Sequence, residues 1–481
     1  MTLLEKKLEE LFGFKSFRPG QQEIIESVLA GNDTIALLPT GLGKSLCYQL
    51  PAYIINKPVL IISPLLSLMQ DQVDQLKMNG EKKVIALNSF LQLREKKEAL
   101  EHLQTYRFIF TSPEMLAQPT VQEKIQRLDL GLIVADEAHC ISQWGFDFRP
   151  DYLKIGTMLN DNRPPVLALT ATATNAVLVD IEKFLVMRRV QRFIHSVNRP
   201  NIKLIKMAFA QKHEKTDWLL QHVTSTAGPG IIYASSRKRC DELALQLKDA
   251  GQAVAAYHGG MQHEDRRFVQ QQYLQGALDW IIATNAFGMG VHKADIRQIV
   301  HETMPANMSN YMQEIGRAGR DGEQSVAILL YAPEDERIAQ FVAVDDLPTE
   351  GHVDLYERYR MQGMAVDAMK KDLFISDTAF RVLHYWMQQL PVNSVKQQLQ
   401  QIAQSKMDEV QHMLYLIKTT NCMRQTVIDY FEQASVEQEI CCTSCGLELT
   451  QLVKPYVARK EQLIEDWYDR VHKLLPNMVE V

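Results

Sequence analysis

The segment that most clearly carries chemistry is a glycine turn at residues 37–45, which reads Leu-Leu-Pro-Thr-Gly-Leu-Gly-Lys-Ser. In such a turn, glycines let backbone N–H groups converge on phosphate oxygens, the lysine neutralises the β and γ phosphates, and the serine hydroxyl ligates Mg²⁺. Leu38 stands where the general phosphate-loop spacing has a glycine, whereas the variant Pro-Thr-Gly-x-Gly-Lys-Ser fits in full. A strand-to-helix turn without a ligand is the alternative. The residues expected to hold a nucleoside triphosphate are Thr40, Gly41, Gly43, Lys44 and Ser45.

Two adjacent carboxylates follow another apolar run, in the tetrapeptide Asp136-Glu137-Ala138-His139. At the end of a buried strand they would stand close to the phosphate loop. Asp136, with Ser45, would then hold Mg²⁺, and Glu137 would orient and deprotonate the attacking water. Acidic residues at a helix N-terminus are the alternative explanation.

Two arginines, Arg317 and Arg320, lie three residues apart in the segment 313–322, on one side of a helix if that segment is helical. A planar guanidinium stabilises charge on a transferring phosphoryl group. If the arginines belong to a second domain, hydrolysis would depend on closure of a cleft. Surface ion pairing is the alternative.

The elements that must position these residues alternate between strand and helix. The chain has 481 residues, which suggests about three domains. Helical patterns such as Leu65 to Met78 and Val121 to Leu128 separate short apolar runs, as in right-handed βαβ units. The pattern therefore predicts an α/β fold with two tandem parallel-sheet domains at 1–205 and 206–335, linked by about 199–226, and then a mainly helical region at 336–481 that includes Val395 to Leu416. The runs expected to form strands are 34–38, 59–62, 108–110, 132–134 and 166–169, then 231–233, 253–257, 280–283, 299–300 and 326–330.

Composition excludes several classes of protein. A hydrophobic content of 46% and a charged content of 23% are ordinary for a globular chain. The net charge of −6 argues weakly against a bulk nucleic-acid binder, although a local groove can still be basic. Residues 1–7 lack the apolar stretch of a signal peptide, and no apolar window is long enough to span a bilayer, so we expect a cytoplasmic protein without a membrane partner. Seven cysteines fit a reducing compartment.

The motifs, in order from Phe14 to Cys445, resemble those of the RecQ-family helicases of superfamily two. The resemblance implies RecA-like domains, ATP-dependent DNA helicase activity, 3′ to 5′ translocation on single-stranded DNA, and a role in DNA repair or recombination. It also implies that Arg18 and Gln21 bind the nucleotide, with Gln21 addressing adenine. Arg320 becomes the better candidate for an arginine finger, with Arg317 as a second phosphate contact.

The segment Cys140 to Pro150 resembles the aromatic-rich loop of that family, whose aromatic side chains would stack on bases or wedge between them. A buried aromatic cluster is the alternative. Phe146 stands where the family usually has histidine, and His292 stands where it more often has aspartate. The DNA-contacting residues implied by the resemblance are Ser63, Ser67, Thr111, Trp144, Phe146, Phe148, Arg149, Ser235 and His258.

Four cysteines resemble the RecQ zinc site, in a subdomain at about 411–446. Four thiolates suit tetrahedral Zn²⁺, and free core thiols are the alternative. The family spaces its last three cysteines by two or three residues, whereas two of the cysteines here are adjacent, so either one could be a poor ligand. The cysteines are Cys422, Cys441, Cys442 and Cys445.

About a hundred residues separate Arg320 from Cys422, and 36 follow Cys445, so the resemblance is to a short bacterial form of the RecS type without winged-helix and terminal helical modules. The extra helical segment lies around 345–418. We expect a monomer, associated with the nucleoid, that acts on single-stranded and partially duplex DNA, with single-strand-binding protein and other repair proteins as candidate partners. An RNA helicase and a non-catalytic scaffold remain the rival hypotheses.

Overall fold

Short apolar runs become the central strands of two parallel sheets in the computed structural model, which describes residues 2–64, 66–88, 91–142, 150–158, 163–284, 287, 293–435 and 440–456. The strands are β1 Thr34–Leu37, β2 Val59–Ile62, β3 Val84–Leu87, β4 Phe108–Thr111, β5 Leu132–Ala135, β6 Val166–Thr170, β7 Gln191–Ile194, β8 Ile202–Ala208, β9 Gly230–Tyr233, β10 Val254–Tyr257, β11 Trp280–Ala283, β12 Gln298–His301 and β13 Ser325–Tyr331.

The first sheet has seven strands in the order β3-β4-β2-β5-β6-β1-β7, and the second has six in the order β10-β11-β9-β12-β13-β8. Every pairing is parallel. Successive residues of β1 enter different cores, since Ile35 and Leu37 pack on one face and Ala36 on the other. Helices cover both faces, which is why the central strands read as continuous apolar runs. The expected pair of tandem α/β domains is confirmed.

Helices connect the strands and then take over the chain after β13. Among the described residues, none is both long enough and apolar enough to cross a membrane. Short 3₁₀ turns lie at Leu103–Thr105, Ala138–Ile141, Thr443–Cys445 and Leu449–Gln451. The helices are α1 Leu3–Phe12, α2 Gln21–Leu29, α3 Leu46–Ile55, α4 Leu66–Met78, α5 Leu93–Glu101, α6 Pro113–Leu116, α7 Pro119–Gln126, α8 Pro150–Met158, α9 Asn175–Phe184, α10 Lys212–Ser225, α11 Arg237–Asp249, α12 His263–Leu274, α13 Met308–Ile315, α14 Asp335–Val344, α15 Glu350–Met361, α16 Val366–Asp372, α17 Asp377–Gln389, α18 Val392–Lys418 and α19 Met423–Tyr430.

The segment 199–226 does not form the simple linker that the sequence suggested. It contains β8 and α10, and β8 pairs along its whole length with β13 of the second sheet. The division predicted between residues 205 and 206 therefore falls inside β8. The strand was hidden because Lys203 and Lys206 interrupt its apolar residues, which the partly exposed edge of a sheet permits.

The helical region contacts both α/β domains. Helices α14, α15 and α17 pack against the long α18. On the first domain, the guanidinium Nη1 of Arg381 lies 2.7 Å from Oε1 of Glu114. On the second domain, Leu204 of β8 donates its N–H to the carbonyl of Cys441 at 3.1 Å. The expected helical region thus joins the two domains on one side of the molecule.

Candidate active site

The phosphate loop connects β1 to α3 and depends on its glycines. Gly41 and Gly43 have φ values of +92° and +74°, in the left-handed region that favours glycine. A Cβ atom on Gly43 would lie 2.8 Å from Nε2 of Gln21, so a side chain there would displace the end of the Gln21 side chain. Ser45 precedes α3 without capping it through its side chain, which leaves its hydroxyl available to a ligand.

The acid pair lies where β5 ends. The N–H of Asp136 continues the ladder by donating to the carbonyl of Ile62 at 2.8 Å, and the buried Tyr152 hydroxyl donates to the carbonyl of Asp136 at 2.8 Å. Glu137 then turns into the left-handed region, with φ +48°. Non-glycine residues in this conformation concentrate at functional sites. Oε1 of Glu137 lies 3.4 Å from Nζ of Lys44, so the acid pair faces the phosphate loop.

Burial and neighbouring charges give the two carboxyl groups different pKa values. Burial, followed by the negative charge of Glu137, raises the pKa of Asp136 to about 6. Burial also opposes ionisation of Glu137, but the positive charges of Lys44, His139 and Arg317 outweigh it and hold the pKa of Glu137 below its ordinary value. Glu137 therefore loses its proton more readily than Asp136 and has the charge that a general base requires.

Arg317 and Arg320 reach the site from the second domain. Helix α13 ends at Ile315, so both arginines lie in the turn that follows and not on one side of a helix, which corrects the helical expectation. The chain turns because Gly319 adopts φ +52°. Burial, and then the charges of Arg317 and Arg199, lower the pKa of Arg320 to about 10. Clustered guanidinium groups in a buried wall suit a polyphosphate anion.

One cavity of about 500 Å³ brings these groups together. The domains meet directly at its edge, where the Thr40 hydroxyl donates to the carbonyl of Gly316 at 2.9 Å. Every residue predicted to bind ATP or Mg²⁺ or to act in hydrolysis lines this cavity: Arg18, Gln21, Thr40, Gly41, Gly43, Lys44, Ser45, Asp136, Glu137, Arg317 and Arg320.

The side chain of Gln21 already makes hydrogen bonds in this conformation. Its Nε2 donates to the carbonyls of Leu42 at 2.8 Å and Gly43 at 3.1 Å, and its Oε1 accepts from the N–H of Arg18 at 2.9 Å. The Arg18 guanidinium also donates to the carbonyl of Gly41. The base-reading element is thus held against the phosphate loop, and the second lone pair of Gln21 Oε1 can accept a hydrogen bond from adenine while these contacts persist.

The predicted DNA contacts divide into groups. Ser63 follows β2 and Thr111 ends the neighbouring β4 in the first sheet, and both side chains are buried. Ser235 and His258 follow β9 and β10 of the second sheet, and His258 Nε2 lies 3.0 Å from Oδ1 of Asp241. These positions follow the carboxyl ends of the strands in each sheet. Residues outside the described part of the chain are Trp144, Phe146, Phe148, Arg149 and His292, as is the side chain of Ser67.

The four cysteines converge although two of them are adjacent. Their Sγ atoms all lie within 4.8 Å of one another, with a separation of 3.3 Å for Cys422–Cys441 and 3.5 Å for Cys442–Cys445. Tetrahedral zinc with Zn–S bonds of about 2.3 Å needs sulfur atoms about 3.8 Å apart. The N–H of Met423 donates to Cys442 Sγ at 3.3 Å, an outer-shell contact of the kind that supports a thiolate ligand. The donor set fits zinc.

Sequence reasoning missed several residues at the cleft. Arg199 donates to carbonyls of both domains, and Gln313 Nε2 lies 3.4 Å from Oγ1 of Thr172 across the domain boundary. Tyr152 supports Asp136 from α8. Gln313 begins the segment 313–322 that contains the two arginines, whereas Arg199 and Tyr152 belong to no phosphate or metal motif, and the only local signal at Arg199 is the Pro-Asn turn that follows it.

Two family models match the chain, the DEAD/DEAH box helicases over residues 18–181 and the helicase conserved C-terminal domain over residues 214–322. The chain is 42% identical to the probable ATP-dependent DNA helicase RecS of Bacillus subtilis, over 98% of each chain. The protein belongs to the RecQ family. This RecQ-family protein is an ATP-dependent DNA helicase, as the motifs predict.

Longer relatives share only part of their length with this RecQ-family chain. It is 40% identical to the ATP-dependent DNA helicase RecQ of Haemophilus influenzae over 68% of its own length, which is 53% of that protein. Solved structures match the fold at low identity. MrfA bound to DNA has a TM-score of 0.59 with 20% identity over 70% of this chain and 52% of that one. Dbp5 of S. cerevisiae bound to RNA and ADP BeF3 has a TM-score of 0.58 with 19% identity over 72% and 91%.

Proposed function

We propose that this RecQ-family helicase hydrolyses ATP in the cleft between its two α/β domains and uses cleft closure to move 3′ to 5′ along single-stranded DNA. Duplex separation in DNA repair or recombination is the proposed outcome. One observation carries the proposal. Lys44 and Glu137 of the first domain line the same cavity as Arg317 and Arg320 of the second. Groups divided in this way make hydrolysis sensitive to the relative position of the domains.

Each group then has a distinct task. The loop N–H groups and Lys44 bind the β and γ phosphates. Glu137 accepts a proton from the water that attacks the γ phosphate. Arg320, assisted by Arg317, neutralises the charge that spreads over the transferring phosphoryl oxygens. Arg18 and Gln21 hold the base end of the nucleotide.

Two metals fit donor sets of this chain. The Ser45 hydroxyl and the Asp136 carboxylate are hard oxygen donors on the same cavity wall, and they would hold Mg²⁺, which neutralises phosphate charge when bound. Cys422, Cys441, Cys442 and Cys445 would hold a structural Zn²⁺, which stabilises the small subdomain at about 411–446.

DNA would cross the carboxyl ends of the strands of both sheets. The predicted contacts there are Ser63, Thr111, Ser235 and His258. The other residues proposed to contact DNA are Ser67, Trp144, Phe146, Phe148 and Arg149. Single-stranded and partially duplex DNA are the proposed substrates, and single-strand-binding protein and other repair proteins are the proposed partners. We also propose that the protein acts as a monomer in the cytoplasm, associated with the nucleoid.

The first experiment measures the steady-state ATPase rate with no polymer, with single-stranded DNA, and with single-stranded RNA at matched nucleotide concentration. We expect strong stimulation by DNA alone. Equal stimulation by RNA would refute a DNA-directed motor. The Lys44→Ala variant should lose turnover while it retains DNA binding in a gel-shift assay, because only the phosphate contact is removed. Comparable turnover by this variant would contradict the assignment of the phosphate loop.

The second experiment tests direction. Duplexes with either a 3′ or a 5′ single-stranded tail are offered with ATP and Mg²⁺, and strand separation is followed by fluorescence. A 3′ to 5′ motor loads on the 3′ tail, so only that substrate should be unwound. Unwinding from the 5′ tail alone would reverse the proposed direction while leaving the ATPase site intact.

A further inference from the structure

Arg199 lies between β7 and β8 and joins backbone groups of both walls of the cleft. Its Nη1 donates to the carbonyl of Thr40, in the phosphate loop, at 2.9 Å. Its Nη2 donates to the carbonyls of Gly319 at 2.7 Å and Ala318 at 3.3 Å, in the turn that bears Arg317 and Arg320. One guanidinium therefore spans the gap between the loop that binds phosphate and the turn that supplies the arginines.

Arg424 holds Arg199 from the other side. It is the second residue of α19, it follows Cys422 of the cysteine cluster by two positions, and it is 5% exposed. Its Nη1 donates to Oδ1 of Asn198 at 2.6 Å and to the carbonyl of Arg199 at 3.1 Å, and its Nη2 donates to the carbonyl of Ile202. The side chain thus fixes the backbone on both sides of Arg199.

The cysteine cluster is attached to the same stretch of backbone. Leu204 donates its N–H to the carbonyl of Cys441 at 3.1 Å, and Lys206 donates its N–H to Oγ1 of Thr443 at 3.0 Å. Contacts therefore run without a break from the cysteine cluster through Arg424 and residues 198–202 to Arg199, and then to both walls of the cleft. Arg424 is joined to Cys422 through the chain, and the other links are hydrogen bonds between buried or half-buried groups.

The chemistry of these contacts requires arginine. A planar guanidinium has donors in a fixed fork and can satisfy carbonyls that point from two directions, whereas an ammonium is a single point charge. Neither Arg199 nor Arg424 lines the cavity, so neither would contact ATP in this conformation. Each instead sets the position of groups that do. Displacing a catalytic group by about 1 Å can reduce a rate by about 100-fold.

We propose that Arg199 and Arg424 form a positioning relay, in which the helical region holds Arg424, Arg424 holds the backbone of Arg199, and Arg199 sets the separation of the phosphate loop from Arg317 and Arg320. The proposal rests on ATP hydrolysis in this cleft, as proposed above. It predicts that damage to either member lowers kcat of the DNA-stimulated ATPase more than it changes KM for ATP.

The test is a double-mutant cycle with Arg199→Lys, Arg424→Lys and the double variant of the full chain. Each substitution keeps the charge and removes the fork. We expect each single variant to lower kcat by about tenfold or more, with KM for ATP changed by less than about threefold. Because the relay acts in series, the double variant should have a kcat within about twofold of the slower single variant. Arg337→Lys, at an exposed site of α14, is the matched control and should retain the wild-type kcat.

If Arg199 and Arg424 stabilised the fold independently of each other, the kinetic measurements would differ. Multiplied losses in the double variant, or a lower melting temperature with kcat and KM unchanged, would overturn the relay. A second pair of variants distinguishes loss of positioning from misfolding. Asn198→Asp keeps an acceptor for Arg424, whereas Asn198→Ala removes it. The relay requires the Asp variant to retain kcat and the Ala variant to lose it, and equal rates for the two would also overturn it. A wild-type protein without ATPase activity would instead refute the proposed function itself.

Discussion

Replacing Glu137 by glutamine tests the centre of the proposed chemistry. The amide preserves the shape of a half-buried side chain whose backbone is in the left-handed region, so the local fold should persist. The substitution removes the carboxylate that accepts a proton, whose Oε1 lies 3.4 Å from Nζ of Lys44. General bases contribute about 10²–10⁴-fold to a rate. At about 1.36 kcal/mol for each tenfold change, the barrier should rise by about 2.7–5.4 kcal/mol.

The substitution should not weaken the binding of ATP. Loss of the carboxylate frees Lys44 for the phosphates and removes a negative charge from beside them, so ATP affinity should stay the same or improve. The assay measures kcat and KM of the DNA-stimulated ATPase, and binding of a fluorescent ATP analogue gives the affinity directly. Glu123→Gln, on the exposed side of α7, is the matched control. A folded Glu137→Gln protein with a kcat within about threefold of wild type would refute a general-base role.

Three further predictions concern metal and stability. Cys442→Ser should reduce bound zinc well below the wild-type content, because a thiolate ligand is lost, as measured by elemental analysis after gel filtration. Asp33→Ala should lower the free energy of unfolding by about 3–5 kcal/mol in a urea titration, because it leaves the buried Arg163 guanidinium, now 2.6 Å from its carboxylate, without a counter-charge. His222 is buried and its pKa lies below the ordinary 6.5, so stability should fall as the pH drops below about 6.5, and the fall should be shallower in His222→Gln.

Each of these changes has a matched control. Cys240→Ala, at a buried cysteine outside the cluster, should leave the zinc content unchanged. Asp129→Ala, at a carboxylate that is 80% exposed, should change stability by less than about 0.5 kcal/mol. The exposed His102→Gln should retain the wild-type pH slope. Equal effects in a variant and its control would contradict the physical reason given for that variant.

The sign of the pH effect follows from linkage. Burial disfavours the charged imidazolium of His222 in the folded state, so the unfolded state takes up the proton at a higher pH. Between the unfolded and folded pKa values, the unfolded state binds more protons and each step down in pH favours it. The contribution of His222 to stability is therefore fully present above the ordinary pKa and is lost as the pH falls through the lower, folded value.

Local motifs made much of the site predictable. The residues of the phosphate loop, the acid pair and the two arginines act through side-chain or glycine chemistry that short segments display, and all of them line one cavity. The central strands could be predicted equally well, because strands that are buried on both faces consist of continuous apolar runs. The edge strands β3, β7 and β8 could not be predicted in this way. In β7 the residues are Gln-Arg-Phe-Ile and mostly exposed, so no apolar run marked the strand.

What the sequence by itself determined is therefore the chemistry and its place at the ends of buried strands, since each depends on residue types within a few positions of one another. Only the tertiary structure decided how the domains face each other and what holds them. Arg199 and Thr40 are 159 residues apart, and Arg424 and Asn198 are 226 apart. Most of the arginine contacts go to backbone carbonyls, which every residue has, so no residue type in the sequence could mark the partners.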